Sequence, residues 1–153
     1  MQSARQAVQW AAWSLLLNLL WEAAQLPFYA FAPTYGPLQI AWSVVHCTAG
    51  AVAIALGAYA AAALVTRDLE WPTRRPSLGL PVALAVGVAW TVLSEWLNVH
   101  VRGAWTYAPT MPTFAGVGMM PLLQWLAIPP LVLFALWHRM RTHVTTQHWE
   151  TSR

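Results

Sequence analysis

The chain has 153 residues, of which 58% are hydrophobic and only 8% charged, against about 25% charged in ordinary soluble domains. That balance excludes an ordinary soluble domain and predicts an all-α integral membrane protein, a four-transmembrane-helix bundle forming one domain over 1–153. The eight basic residues are all Arg, the formal net charge is +3, and no basic run or stripe forms, so nucleic acid is excluded as a partner.

An apolar stretch from Ala7 to about Pro27 is the first predicted span, close to the twenty or so residues that cross a hydrocarbon core of about 30 Å. A signal peptide is the competing reading, since Arg5 precedes the run and Ala30-Phe31-Ala32 resembles a cleavage site. The run is too long and too polar inside for that, and Pro33 would follow the cut directly. Asn18, Glu22 and Gln25 stand at i, i+4 and i+7, on one helical face that cannot meet lipid comfortably. Phe28 to Pro37, with four aromatics, two prolines and Gly36, reads as an interfacial turn.

The second predicted span runs from about Leu38 to Val65. Ser43, His46, Gly50, Ala53 and Gly57 form a stripe of mostly small side chains along which a neighbouring helix could approach closely. Cys47 is the single cysteine, so neither an internal disulfide nor a Cys-based metal centre is available. Thr66 to Ser77 carries three Arg, Asp68, Glu70 and two prolines, and is expected to be a water-exposed loop dividing two helical pairs.

The third predicted span covers about Leu80 to His100, and a Trp-, Tyr-, Pro- and Gly-rich connection from Val101 to Gly118 follows. The fourth covers about Met119 to Trp137, with Pro129-Pro130 expected to kink it. Arg5, Arg67, Arg74, Arg75, Arg139, Arg141 and Arg153 then fall on one side and Arg102 alone on the other, which places both termini in the cytoplasm. A short internal similarity, Asn18-Leu-Leu-Trp-Glu22-Ala-Ala-Gln25 against Thr91-Val-Leu-Ser-Glu95-Trp-Leu-Asn98, is compatible with two repeated helical hairpins.

The functional argument centres on Trp90 to Tyr107. Thr91, Glu95, Asn98 and Arg102 share one narrow helical stripe, and a carboxylate at membrane depth is costly unless it is paired, protonated or facing a wet cavity. Glu22 and Glu95 each lie about five residues, roughly 7.5 Å, from the outer ends of their spans, and His46 and Gln124 also fall in the outer half. Inward-facing stripes would enclose these groups beneath a lid of Arg102, Trp105, Tyr107 and the aromatics from Phe28 to Tyr35. Two carboxyls held close in a low-dielectric site cannot both ionise, which suits acid–base chemistry, and aromatic faces stabilise cations. The candidate catalytic residues are Glu22, Glu95 and His46. The candidate substrate-binding residues are Gln25, Asn98, Arg102, Trp105, Tyr107, Gln124, Trp21 and Trp96, with the other tryptophans of the eleven serving mainly as interfacial anchors. No metal site and no particular cofactor is indicated.

The Glu followed by Trp105-x-Tyr107 and Gly/Pro loops resembles membrane carotenoid cyclases and hydratases. That resemblance implies a cofactor-independent isomerase, cyclase or hydratase acting on a lipid or isoprenoid, and it transfers no residue roles. WEAAQLPFY, HCTAG and EWLNVHVRGAWTYAPTMP together resemble small multi-pass proteins of bacterial inner membranes, which implies that localisation and no activity. Three other classes stay open from the residues alone. They are a proton-coupled carrier, which a homodimer could complete; a metal or haem protein using Glu22, His46, Glu95 and His100; and an accessory subunit packed through the small-residue stripe.

Overall fold

The computed structural model describes residues 2–31 and 35–150, with side chains for 3–31 and 35–139. Ala32, Pro33 and Arg153 lie outside it, as does the side chain of Arg141. Helix α1 spans Gln2–Gln25, α2 Pro37–Thr66, the short α3 Trp71–Arg74, α4 Pro76–Trp96 and α5 Met119–Glu150. Prolines place several of these boundaries. α1 stops two residues before Pro27, whose ring disfavours helical geometry in the residue ahead of it, while α2 and α4 begin with Pro37 and Pro76, where a missing N–H costs nothing. α2 ends on Arg67 in the left-handed conformation (φ 53°).

Three helices are long and apolar enough to cross a membrane: Pro37–Thr66, Pro76–Val101 and Met119–Arg139. α1 falls outside that set because its composition is split by face. Gln6, Trp10, Ser14, Asn18, Glu22 and Gln25 recur every three to four residues and are all buried, whereas Leu15, Leu16, Leu19 and Leu20 are exposed. A helix with its polar residues inside and its leucines outside is inverted relative to a water-soluble one, and its low average hydropathy hides an apolar outer face. Leu38, Leu64 and Phe134 on α2 and α5 are likewise largely exposed.

α4 is the central packing element. Its buried residues Gly79, Ala83, Gly87, Thr91 and Glu95 recur every four positions, running from no side chain near its N-terminal end to a carboxyl near its C-terminal one. Two indoles lie flat on its backbone: a Cβ at Gly79 would stand 2.1 Å from the Trp71 ring, and one at Gly87 2.0 Å from the Trp125 ring. Gly87→Val is therefore expected to cost about 3 kcal/mol by overpacking. It should lower the thermal midpoint in detergent, and Trp125→Ala in the same chain should recover part of the loss by making room.

Several expectations are corrected here. The stretch from Thr66 to Ser77 is not simply a solvated loop: it carries Glu70 ion-paired to Arg74 at 3.0 Å, but Trp71 is fully buried within it. Trp71 packs on Trp10 and Tyr59 with ring centroids 5.2 and 5.7 Å apart, and its indole N–H donates to the Tyr59 carbonyl. Tyr59 in turn donates its hydroxyl to the Leu69 carbonyl. Trp10, Trp71 and Trp125 are thus core residues rather than interfacial anchors, because each can bury a large ring against a small residue or another ring. The Ser43/His46/Gly50/Ala53/Gly57 stripe also does not pack α2 inside the bundle. α2 packs through Thr48, Ala51, Ala55, Ala58 and Ala62, and added Cβ atoms at Gly50 and Gly57 would meet nothing within 4 Å.

Candidate functional site

The end of the bundle beside α3 is packed by the Trp10–Tyr59–Trp71 cluster, and the opposite end is hollow. A cavity of about 800 Å³ opens there, bounded by the end of α1, the start of α2, the end of α4 and the start of α5. Past Trp96, α4 widens into a π turn over Leu97–Val101, an uncommon geometry that recurs at functional sites. The cavity wall follows it from Thr91 and Glu95 through Asn98 to Arg102. The roof is a two-stranded clasp in which β1 (Tyr29–Ala30) pairs antiparallel with β2 (Thr106–Tyr107), Tyr29 opposite Tyr107. Thr110 Oγ1 donates to the Pro27 carbonyl at 3.1 Å and ties the two connections together again. Beyond it β3 (Thr113–Phe114) and β4 (Val117–Gly118) form a second hairpin leading into α5.

Both glutamates, Gln25, His46, Asn98, Arg102, Trp105 and Gln124 line this one cavity, so the structure brings together residues from four helices and the roof. Three do not line it. Trp96 is 52% exposed and turned away from the cavity, since Glu95 next to it takes the inward position. Trp21 and Tyr107 stand behind the wall, Trp21 donating to the Gln25 amide oxygen and Tyr107 to the Glu95 carboxyl. Trp42, Cys47 and Trp125 line the cavity without having been singled out, and Tyr29, one of the lid aromatics read from the sequence, lines it too. Trp125 owes its place to stacking over Gly87, which carried no local signal.

The hydrogen bonds around Glu22 have a fixed direction. The Trp21 indole, which can only donate, gives its N–H to Gln25 Oε1 at 3.2 Å, so the Gln25 amide must present its NH₂, which donates to Glu22 Oε2 at 2.6 Å. On the other side Asn18 Nδ2 donates to the Ser14 carbonyl at 2.7 Å, which turns Asn18 Oδ1 toward Gln124. Gln124 Nε2 then donates to Asn18 at 2.8 Å and to Glu22 Oε1 at 3.0 Å. Both oxygens of Glu22 thus accept from groups that only donate.

Glu95 has a different set of neighbours. Its Oε2 accepts the Tyr107 hydroxyl at 2.6 Å and, at the long limit of 3.5 Å, the Trp105 indole N–H, with Tyr29 a third hydrogen-bonding neighbour. The Tyr107 oxygen accepts the Gly118 N–H at 2.9 Å, which aims its own proton at Glu95. Burial, and next the hydrogen bond to Glu95, push the Tyr107 phenol above its ordinary range, and burial with the Glu95 and Glu22 charges does the same to Tyr29. Both therefore remain protonated donors at physiological pH.

No family model, curated protein or solved structure matches the chain. The geometry therefore carries the functional reading. Among the described residues the ion pair within 4 Å is Arg74–Glu70, so Glu22 and Glu95 have neither Arg102 nor His46 as a counter-ion. A purely structural pairing of either glutamate with those cations finds no support. Among the described residues, too, no three of His, Cys, Asp and Glu converge as a metal-ligand set, and His100 Nε2 instead meets the Gly116 carbonyl at 3.0 Å.

Proposed function

We propose that the protein is an acid–base enzyme that protonates or isomerises an alkene in a lipid or isoprenoid, within the outer half of a bacterial inner membrane. The observation that carries this reading is the pair of buried carboxyls on one largely apolar cavity, each held by neutral donors and neither paired with a cation. The two environments divide the work. Glu22, capped on both oxygens by donor-only amides, is suited to remain a carboxylate and to stabilise positive charge. Glu95, whose neighbours include two hydroxyls able to donate or accept, is suited to change protonation state.

In this mechanism the Glu95 carboxyl transfers its proton to one alkene carbon, and the π pair forms the new C–H bond. The cation left on the neighbouring carbon is stabilised by the Glu22 carboxylate and by the faces of aromatic residues such as Tyr29 and Trp125. Loss of an adjacent proton back to Glu95 forms the shifted double bond and regenerates the acid. The cycle is balanced without a cofactor. The aromatic cluster packed at the α3 end of the bundle supports this reading over a carrier, which needs a polar route on both sides.

The experiment is solvent labelling: membranes containing the protein are incubated in D₂O and the lipid extract is analysed by mass spectrometry. Deuterium entering one lipid species only where the protein is present is the expected result. Absence of protein-dependent label in lipids from a native host would remove the isomerase reading.

The proposal includes four spans, with α1 as the fourth, and both termini in the cytoplasm. Its supports are the lipid-compatible leucine face of α1 and the distribution of Arg. A reporter inserted at Tyr35 should be exported and one at Arg74 retained. The opposite pattern would invert the orientation and place the cavity in the cytoplasmic half.

A further inference from the structure

Arg102 lines the same cavity as Glu22 and Glu95 yet pairs with neither. It is exposed, it follows the π turn at the outer end of α4, and it stands seven residues beyond Glu95. At helical rise that separation is about 10 Å along the axis. The cavity wall therefore has a cation at its mouth, two carboxyls at depth and apolar surface between and around them, including Leu26, Trp42, Ile54 and Trp125. His46, also exposed, is the other wall residue able to carry positive charge.

An anion drawn deep into this site would meet two carboxyls, whereas an anion stopped at Arg102 would not. A wholly neutral hydrocarbon would give Arg102 nothing to bind. An amphiphile matches the graded wall, head outward and chain inward, because a guanidinium forms charge-assisted, bidentate hydrogen bonds with carboxylate or phosphate oxygens. We propose that the ligand is an amphiphile with a single anionic headgroup, carboxylate or phosphate, held at the cavity mouth by Arg102 with its apolar chain running inward past Glu95. Resting on the acid–base reading, this places the reacting carbons about 10 Å from the head.

The test uses the full chain in a neutral detergent with cis-parinaric acid, a fluorescent polyene carboxylate, and its methyl ester. Binding is read by energy transfer from the protein's tryptophans. Competition by dodecyl phosphate, against dodecanol as the uncharged control, tests whether a phosphate head is taken as well as a carboxylate one. The wild-type chain should prefer the acid over the ester by about tenfold, as expected for a hydrogen bond to a charged group. Arg102→Gln should reduce that preference to less than threefold without changing ester affinity, and Arg102→Lys should restore part of it. Glu95→Gln should keep the preference, because it leaves the mouth intact. Displacement of the probe by dodecyl phosphate more strongly than by dodecanol would extend the same site to phosphate heads. Equal binding of acid and ester, or a preference untouched by Arg102→Gln, would overturn the headgroup assignment and leave the enzyme reading standing. Failure of every probe to bind saturably would overturn both.

Discussion

Replacing Glu95 by Gln is expected to abolish protein-dependent deuterium incorporation while the protein stays folded. Gln keeps the volume of the side chain and can still accept hydrogen bonds from Tyr107 and Trp105, so the packing at the outer end of α4 should survive. What it cannot do is deliver and recover a proton. General acid–base groups contribute about 10² to 10⁴ in rate, so the loss should be of that order. Glu22→Gln should lower the rate for a different reason, since it removes the charge that stabilises the cation. Because the two act on one intermediate, the double variant should be little slower than the worse single variant. Thermal midpoint and yield in detergent are the controls. Full labelling with Glu95→Gln at normal expression would exclude Glu95 as the acid and leave a structural role for it.

The second large effect is on stability, at Gln124. Its NH₂ group donates to Asn18 and to Glu22 in a buried position, and its orientation is set by the Ser14 carbonyl, which turns Asn18 Oδ1 toward it. Gln124→Glu replaces a double donor by a group that, even protonated, has a single hydrogen to give. At least one acceptor is left unsatisfied, and the new carboxyl, if ionised, would face Glu22 across the cavity wall. An unpaired buried polar group costs about 1–3 kcal/mol and an uncompensated buried charge about 3–5 kcal/mol, so the variant should lose several kcal/mol. Exchange of the two partners, Glu22→Gln with Gln124→Glu, puts an amide donor opposite a carboxylate acceptor again. Asn18 Oδ1, held toward position 124 by the Ser14 carbonyl, still loses its donor, so the exchange should recover only part of the thermal stability lost by Gln124→Glu alone, without restoring activity if the charge must sit on α1. Equal stability of the single variant and the wild type would mean that water, rather than Gln124, satisfies Glu22.

These predictions rest on features of unequal legibility in the chain. Helical segments, and the polar faces of α1 and α4, could be read directly, because Asn18, Glu22 and Gln25, like Thr91, Glu95 and Asn98, repeat at helical spacing within apolar runs. A buried carboxyl at membrane depth is costly enough that its presence alone marks a site. On α2 the stripe of Ser43, His46, Gly50, Ala53 and Gly57 is not the face packed against the other helices: Ser43, His46 and Gly50 border the cavity, and added Cβ atoms at Gly50 and Gly57 would meet nothing within 4 Å. In a chain rich in alanine the opposite face, Ala51–Ala55–Ala58–Ala62, is as small and as regular, so composition cannot choose between them.

By itself, then, the sequence determined the all-helical architecture, the long apolar segments and the identity of the buried acids. Each follows from local periodicity and from the cost of placing polar groups in hydrocarbon. Tertiary structure decided which donors reach each acid from other elements. The Gln25 amide meets Glu22 within α1 itself, whereas the Gln124 amide and the Tyr107 and Tyr29 hydroxyls reach the acids only when α1, α4, α5 and the β1–β2 clasp are assembled, and Gln124 is bonded to a glutamate 102 positions away. Hydrogen-bond direction is a property of a closed network, in which the Trp21 N–H and the Ser14 carbonyl at its ends fix every bond between them. The bonds from Gln124 and Tyr107 are in no single helix's spacing, and they are what give Glu22 amide donors and Glu95 hydroxyl and indole donors.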